Sequence, residues 1–207
     1  MELKKALHIA GVDEVGRGCL AGPVVAAAVI LPDNFYIPFL TDSKKLSPLK
    51  RQEIAIQIKA QATAWAFGFS WPKEIDRINI LQASLKAMQR AVLNLKQCPD
   101  LIFVDGKHKI PLELPQKAVI KGDLLIPQIS AASILAKVIR DKVMFSLDKK
   151  YPGYGFKQHK GYGTKLHLQK IKLFGPSPMH RLSFKGVKEF RSKWLPGISL
   201  LDEKGKF

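Results

Sequence analysis

Short apolar runs alternate along this chain with longer amphipathic ones, and the two periods predict an α/β protein. Leu7 to Val12 is brief and apolar. Gly22 to Leu31 is a second such run, and the glycines between them (Gly16, Gly18, Gly22) predict a hairpin. Thr63 to Trp71 places Trp65, Phe67, Phe69 and Trp71 on one face of a third strand. Leu101 to Val104 and Ala118 to Ile120 predict two more. The Leu101 strand should pair in parallel, because a helix precedes it.

The helical signals are longer. Ser47-Pro48 is a helix start, with Ser as the N-cap and Pro in the first turn; Ile54 and Ile58 then share a face. Ile78, Leu81, Leu85, Met88, Val92 and Leu95 recur at spacings of three and four, predicting one helix near Glu74 to Leu95 that ends at Cys98-Pro99. Pro127 to Lys150 predicts a second long helix. The expected order is β-β-α-β-α-β-α-β-α, a mixed five-stranded sheet flanked by helices. From Tyr151 onward, glycines and prolines break the chain into loops and short helices, one from Thr164 to Phe174 closed by Gly175. We expect a core over 1–150 and a C-terminal loop and helical region over 151–207 packed on it as one domain.

Charge sharpens this picture. The chain has 34 Lys and Arg against 17 Asp and Glu, a net +17, and beyond residue 105 there are 21 basic residues against 7 acidic ones. Such a field favours a polyanion, and nucleic acid is the usual one. No apolar run reaches the 18 residues of a membrane span, and the N-terminus does not read as a secretory signal, so a cytoplasmic protein is expected. Two cysteines, Cys19 and Cys98, make neither a disulfide framework nor a zinc site, and the five histidines show no zinc pattern.

Against this basic background, three acidic groups follow strands, each with a glycine close by: Asp13-Glu14, Asp105 and Asp123. A single Asp after a strand is ordinarily a turn or cap residue. Several gathered together repel one another, by about 4 kcal/mol for a pair about 4 Å apart at an effective dielectric of about 20. Such a group calls for hard cations, Mg²⁺ or Mn²⁺. Two ions of that kind can drive hydrolysis of a phosphodiester. Ser130, Ser133 and Lys137 share one face of the second long helix and, with Lys44 and Lys45, are candidates for holding phosphates. Asp141 sits one turn beyond Lys137, either joining the acids or pairing with that lysine.

Several stretches then resemble bacterial ribonuclease HII, the type 2 ribonuclease H. They include Gly11-Val12-Asp13-Glu14-Val15-Gly16-Arg17-Gly18 followed by Leu20-Ala21-Gly22-Pro23, then Asp42-Ser43-Lys44-Lys45-Leu46, Val104-Asp105-Gly106 and Lys121-Gly122-Asp123. Ile129 to Val138 with its Ser-Ala-Ala-Ser, Tyr154-Gly155-Phe156, His159-Lys160-Gly161-Tyr162, and His180-Arg181 with Ser183-Phe184 complete a collinear set. The resemblance implies a ribonuclease H-like core with a C-terminal helical extension; a monomer is expected. It implies cleavage of RNA–DNA hybrids and of single ribonucleotides in duplex DNA. The cut falls 5′ of the ribonucleotide and leaves a 3′-hydroxyl and a 5′-phosphate. By position, Asp13, Glu14, Asp105 and Asp123 would be the acidic active-site residues. Gly16, Arg17 and Gly18 would read the 2′-hydroxyl, and Tyr162 would position the junction.

The chain departs from the family at Cys19 and Gly163, where proline is common; neither change touches an acid, although Gly163 would loosen the Tyr162 loop. Ile198-Ser199-Leu200-Leu201 reads either as a replication-clamp peptide or as an apolar tail. The rival readings are a non-catalytic nucleic-acid binder and another metal nuclease on the same core, such as a resolvase.

Overall fold

The computed structural model describes residues 7–40 and 46–193. Five strands form one mixed sheet: β1 (Ile9–Val15), β2 (Val24–Ile30), β3 (Ala64–Ser70), β4 (Leu101–Asp105) and β5 (Gln116–Val119), in the order β3-β2-β1-β4-β5. β1 and β2 are the expected antiparallel hairpin, β2 pairs antiparallel with β3, and β1, β4 and β5 run parallel. The helices are α1 (Pro48–Gln61), α2 (Pro72–Ile78), α3 (Ile80–Leu93), α4 (Gly122–Leu125), α5 (Pro127–Lys150), α6 (Phe156–His159) and α7 (Lys165–Phe174).

β2 is buried along its whole length because both of its faces are covered. Ala26 and Ala28 pack with the α3 residues, while Ala27 and Val29 pack with α1 and α5. Small residues set the spacing. A Cβ on Gly68 would stand 2.0 Å from the Ala87 carbonyl oxygen, so α3 lies against β3 with no room for a side chain. For the same reason the deepest line on α3 is Ala83, Ala87 and Ala91, while the longer Leu81 and Leu85 are only half-buried.

Three expectations change. The Glu74–Leu95 helix is two helices, broken at Asn79, whose φ of 67° interrupts the spiral and whose side chain caps α3 by accepting from the Gln82 N–H. No helix lies between β4 and β5 among the described residues; the Gln116 amide instead bonds the main chain of Ile110 and Leu112 to shape that crossover. β1 also runs on through Val15 rather than ending at Val12. The Gly175 stop holds for α7 as read, and Thr164 stands just before the helix as its cap, its hydroxyl accepting from the His167 N–H.

Candidate active site

Register places the acids. β1 and β4 pair as far as Val12 and Val104, both on the α3 face of the sheet. One residue further along each parallel strand, Asp13 and Asp105 therefore turn together toward the α5 face. Glu14 follows on the other side, at the point where β4 no longer flanks β1. Asp123 arrives from the first turn of α4, just after β5, rather than at a strand end.

Their surroundings hold them in place. The Gly122 N–H donates to Asp105 Oδ1 at 2.8 Å, and a Cβ on Gly122 would meet Ile129 at 2.5 Å. The Ser130 hydroxyl donates to the Asp123 carbonyl at 2.6 Å, and the Glu14 N–H donates to Asp13 Oδ1 at 2.7 Å. Ser133 hydrogen-bonds the Asp13 carboxyl. Arg17 pairs with Glu14 at 3.2 Å. All four acids border a cavity of about 380 Å³, together with Gly16, Arg17, Ser133, Lys137 and Tyr162.

Burial first, then the charges of Glu14 and Asp105, push the Asp13 carboxyl well above its ordinary range. Burial also raises Glu14, against the pull of Arg17. Among the described residues, no three acids close into a ready-made ligand cage. They line an open cavity instead, and they offer only oxygen donors. Crowded, desolvated carboxylates of this kind fit hard divalent cations, which would relieve the repulsion that Asp13 bears.

The other candidates divide. Tyr162 stands half-exposed at the rim, with its ring 6.0 Å from the Arg140 guanidinium. Its loop is held from both sides despite Gly163, by Tyr162 N–H to the His159 carbonyl at 2.9 Å and Thr164 N–H to the Tyr162 carbonyl at 2.8 Å. Lys137 borders the cavity and pairs with Asp141 at 2.7 Å, so Asp141 joins the lysine and not the acids. Ser130 is not free to meet a phosphate, because its hydroxyl is buried against the Asp123 carbonyl. Gly18 lies outside the cavity wall. Lys44, Lys45 and Ile198-Ser199-Leu200-Leu201 fall outside the described residues.

Sequence reading missed the supports beneath this rim. Arg140 and Arg181 are fully buried, and their guanidinium groups bond main-chain carbonyls of the 16–23 loop. Neither shows an apolar period, and a lone arginine ordinarily reads as a surface charge. Three histidines form a second support. His180 Nδ1 accepts from the Ser177 N–H at 2.8 Å, so its Nε2 carries the proton and donates to His167 Nε2 at 3.0 Å. His167 then donates through Nδ1 to the Tyr162 carbonyl at 2.9 Å. His159 stacks on His167 with ring centroids 4.1 Å apart.

Burial draws His167 down to about 4 and His180 down to about 3, so both are neutral near pH 7. The unfolded chain takes up protons near 6.5 and the folded one does not. Stability is therefore present above that value and is lost as pH falls from about 6.5 toward 4. With two such groups the slope approaches about 2–3 kcal/mol per pH unit. Calorimetry between pH 7.5 and 5 should show this fall, and His180→Asn should flatten it; an unchanged slope in that variant would refute the assignment.

The chain's likeness to known proteins agrees with this geometry. A family model described as Ribonuclease HII matches residues 10–187. A Ribonuclease HII of Nitratidesulfovibrio vulgaris is 54% identical over 190 residues, spanning 86% of each chain. The ribonuclease H2 from Pyrococcus horikoshii OT3 is similar in structure, with a TM-score of 0.75 at 26% identity over 90% of this chain and 98% of that one. The Archaeoglobus fulgidus enzyme, solved as a PCNA:RNase HII complex, matches with a TM-score of 0.74 at 28% identity over 86% of this chain and 96% of that one.

Proposed function

Because the chain belongs to the ribonuclease HII family, and so is a metal-dependent ribonuclease H, we propose that it cuts on the 5′ side of ribonucleotides, both in RNA–DNA hybrids and singly embedded in duplex DNA. The products are a 3′-hydroxyl and a 5′-phosphate. One observation carries this reading: the cavity that gathers the four acids also takes Arg17 and Tyr162 into its wall.

Asp13, Glu14, Asp105 and Asp123 are the residues that would hold Mg²⁺ or Mn²⁺. Two bound ions would supply activation of the attacking water and stabilisation of the leaving oxygen. The protein does the rest. Ser133 and the Glu14 amide orient Asp13, Gly122 orients Asp105, and Ser130 anchors the turn that carries Asp123. Tyr162 offers a flat ring and a polar tip to the sugar at the junction. The 2′-hydroxyl is the group that separates RNA from DNA there. Lys137 and the exposed basic residues beyond 105 would face the phosphates.

The same reading has the protein working as a monomer in the cytoplasm. Among the described residues no helix is long and apolar enough to cross a membrane. Clamp contact through Ile198 to Leu201 belongs to the proposal too, supported by the archaeal neighbour's complex.

A single assay tests the function: a duplex with one ribonucleotide, beside all-DNA and branched controls, in Mg²⁺ and in excess EDTA. Cleavage only at the ribonucleotide and only with metal is expected. Cutting of the branched control, or activity in EDTA, would overturn the reading. Arg17→Ala and Tyr162→Ala should each slow cleavage at the single ribonucleotide by about 10²-fold, the scale at which lost positioning costs rate. Unchanged rates would remove both residues from junction reading.

A further inference from the structure

Arg181 is buried beneath the loop that joins β1 to β2, and no carboxylate forms an ion pair with it among the described residues. Burial lowers it to about 10, so it stays charged at neutral pH. A buried charge without an ion partner must be satisfied by dipoles. Here those dipoles are carbonyls of one loop. Nη2 donates to the Gly16 carbonyl at 2.6 Å, Nη1 to the Arg17 carbonyl at 2.6 Å, and Nη2 and Nε to the Gly22 carbonyl at 3.0 and 3.2 Å. The planar fork of a guanidinium reaches several acceptors at once, which an ammonium on a flexible stem does not do.

Those bonds have a geometric consequence. No peptide bond is cis among the described residues. In a trans peptide the carbonyl and the following N–H point in opposite directions. With the Gly16 and Arg17 carbonyls drawn inward onto Arg181, the N–H groups of Arg17 and Gly18 turn outward. Neither amide has an internal acceptor among the described residues. The loop is open here: Arg17 and Gly18 are both exposed, and a Cβ on Gly18 would meet nothing within 4 Å. Gly16 takes a φ of 96° to make this posture, and a Cβ there would strike Arg140 Nε at 2.2 Å.

We propose that Arg181 is a positioning residue for ribonucleotide recognition: it holds two adjacent carbonyls inward so that the Arg17 and Gly18 amides stand out as a paired donor for the 2′-hydroxyl oxygen. The inference rests on the reading given under Proposed function and adds to it the residue that sets the reader's backbone. Arg181 itself touches no substrate. Its charge also polarises both peptide groups, which strengthens the outward donors.

Two measurements on the full chain test this. The first needs no variant: amide hydrogen exchange at Arg17 and Gly18 in EDTA, free and with duplexes that differ only in one 2′-hydroxyl. Both amides should exchange readily in the free protein and be protected about tenfold more by the ribonucleotide duplex, the signature of a bond made to that hydroxyl. Equal protection by both duplexes would assign the donors to a phosphate and overturn the proposal, as would no protection. The second is Arg181→Lys, which keeps the charge and loses the fork. Its kcat at a single ribonucleotide should fall about 10²-fold with KM within about threefold, as displacement of a positioned group predicts. A wild-type kcat, or a loss confined to KM, would overturn the proposal; if the variant does not fold, the exchange measurement decides. Wild-type protein that fails to cut the ribonucleotide duplex while its amides are selectively protected would sink the proposed function and leave this inference standing.

Discussion

Asp13→Asn is expected to lower the cleavage rate by at least about 10³-fold, the cost of removing one preorganised charge from a reacting centre. Duplex affinity should stay within a few-fold, because the cationic surface is untouched. The same change should make the metal-free protein more stable. Asp13 is 7% exposed, and burial, Glu14 and Asp105 all raise its carboxyl above the ordinary 3.8. Between the ordinary value and the raised one the folded state holds a proton that the unfolded chain has released, and stability is lost as pH rises through the elevated folded value. Asparagine removes that cost, and its carbonyl still accepts the Glu14 N–H. At pH 8 in EDTA the variant should gain at least about 1 kcal/mol, or about 2–4 °C in Tm for a chain of this size. The metal should reverse the order, since added Mg²⁺ or Mn²⁺ stabilises the parent by mass action and the variant far less. Scanning calorimetry with and without metal, beside single-turnover cleavage, checks both halves. A variant less stable than the parent in EDTA would mean that Asp13 is a structural acid, and activity near the parent's would take it out of the site.

Much of this site was legible because parallel strands leave a sharp signature. Leu101 to Val104 and the Asp105 that ends it, and the long helix from Pro127 to Lys150, stand where periodicity puts them. Legibility failed where one residue decides the geometry. Asn79 lies within an unbroken stripe from Ile78 to Leu95, and only its φ of 67° reveals the break. Asp123 follows a strand in sequence, but it reaches the cavity from a four-residue helix held by the Ser130 hydroxyl. Ser130 looked like a phosphate ligand because spacing shows which residues share a face and not what covers it. Arg140, Arg181 and the three histidines were opaque for a related reason. The arginines bond main-chain carbonyls of the 16–23 loop, more than a hundred residues away, and the histidines bond one another and the main chain of neighbouring turns. No local pattern encodes such partners.

Gly11→Ala should be the most destabilising single methyl in the catalytic frame. Gly11 sits on β1 two residues before Asp13 and faces the start of α5, and a Cβ there would lie 2.2 Å from the Gln128 carbonyl carbon and 2.3 Å from the Ile129 nitrogen. Both obstacles are backbone, so no rotamer change relieves them and the helix must move. Overpacking of this kind costs about 3 kcal/mol, the upper part of the range for added methylenes in a packed core. That corresponds to a fall in Tm of about 6–12 °C. The effect should reach chemistry, because α5 carries Ser133 against Asp13 and Ser130 against the Asp123 carbonyl. A shift that opens those bonds by about 1 Å should slow cleavage about 10²-fold even in the fraction that stays folded. Gly18→Ala is the stability control: the added methyl meets open space, and its stability should stay within about 0.5 kcal/mol of the parent's. Equal melting temperatures for the two variants would show that β1 and α5 are not in backbone contact. A cold Gly11→Ala protein with parental turnover would show that the helix does not set the position of the acids.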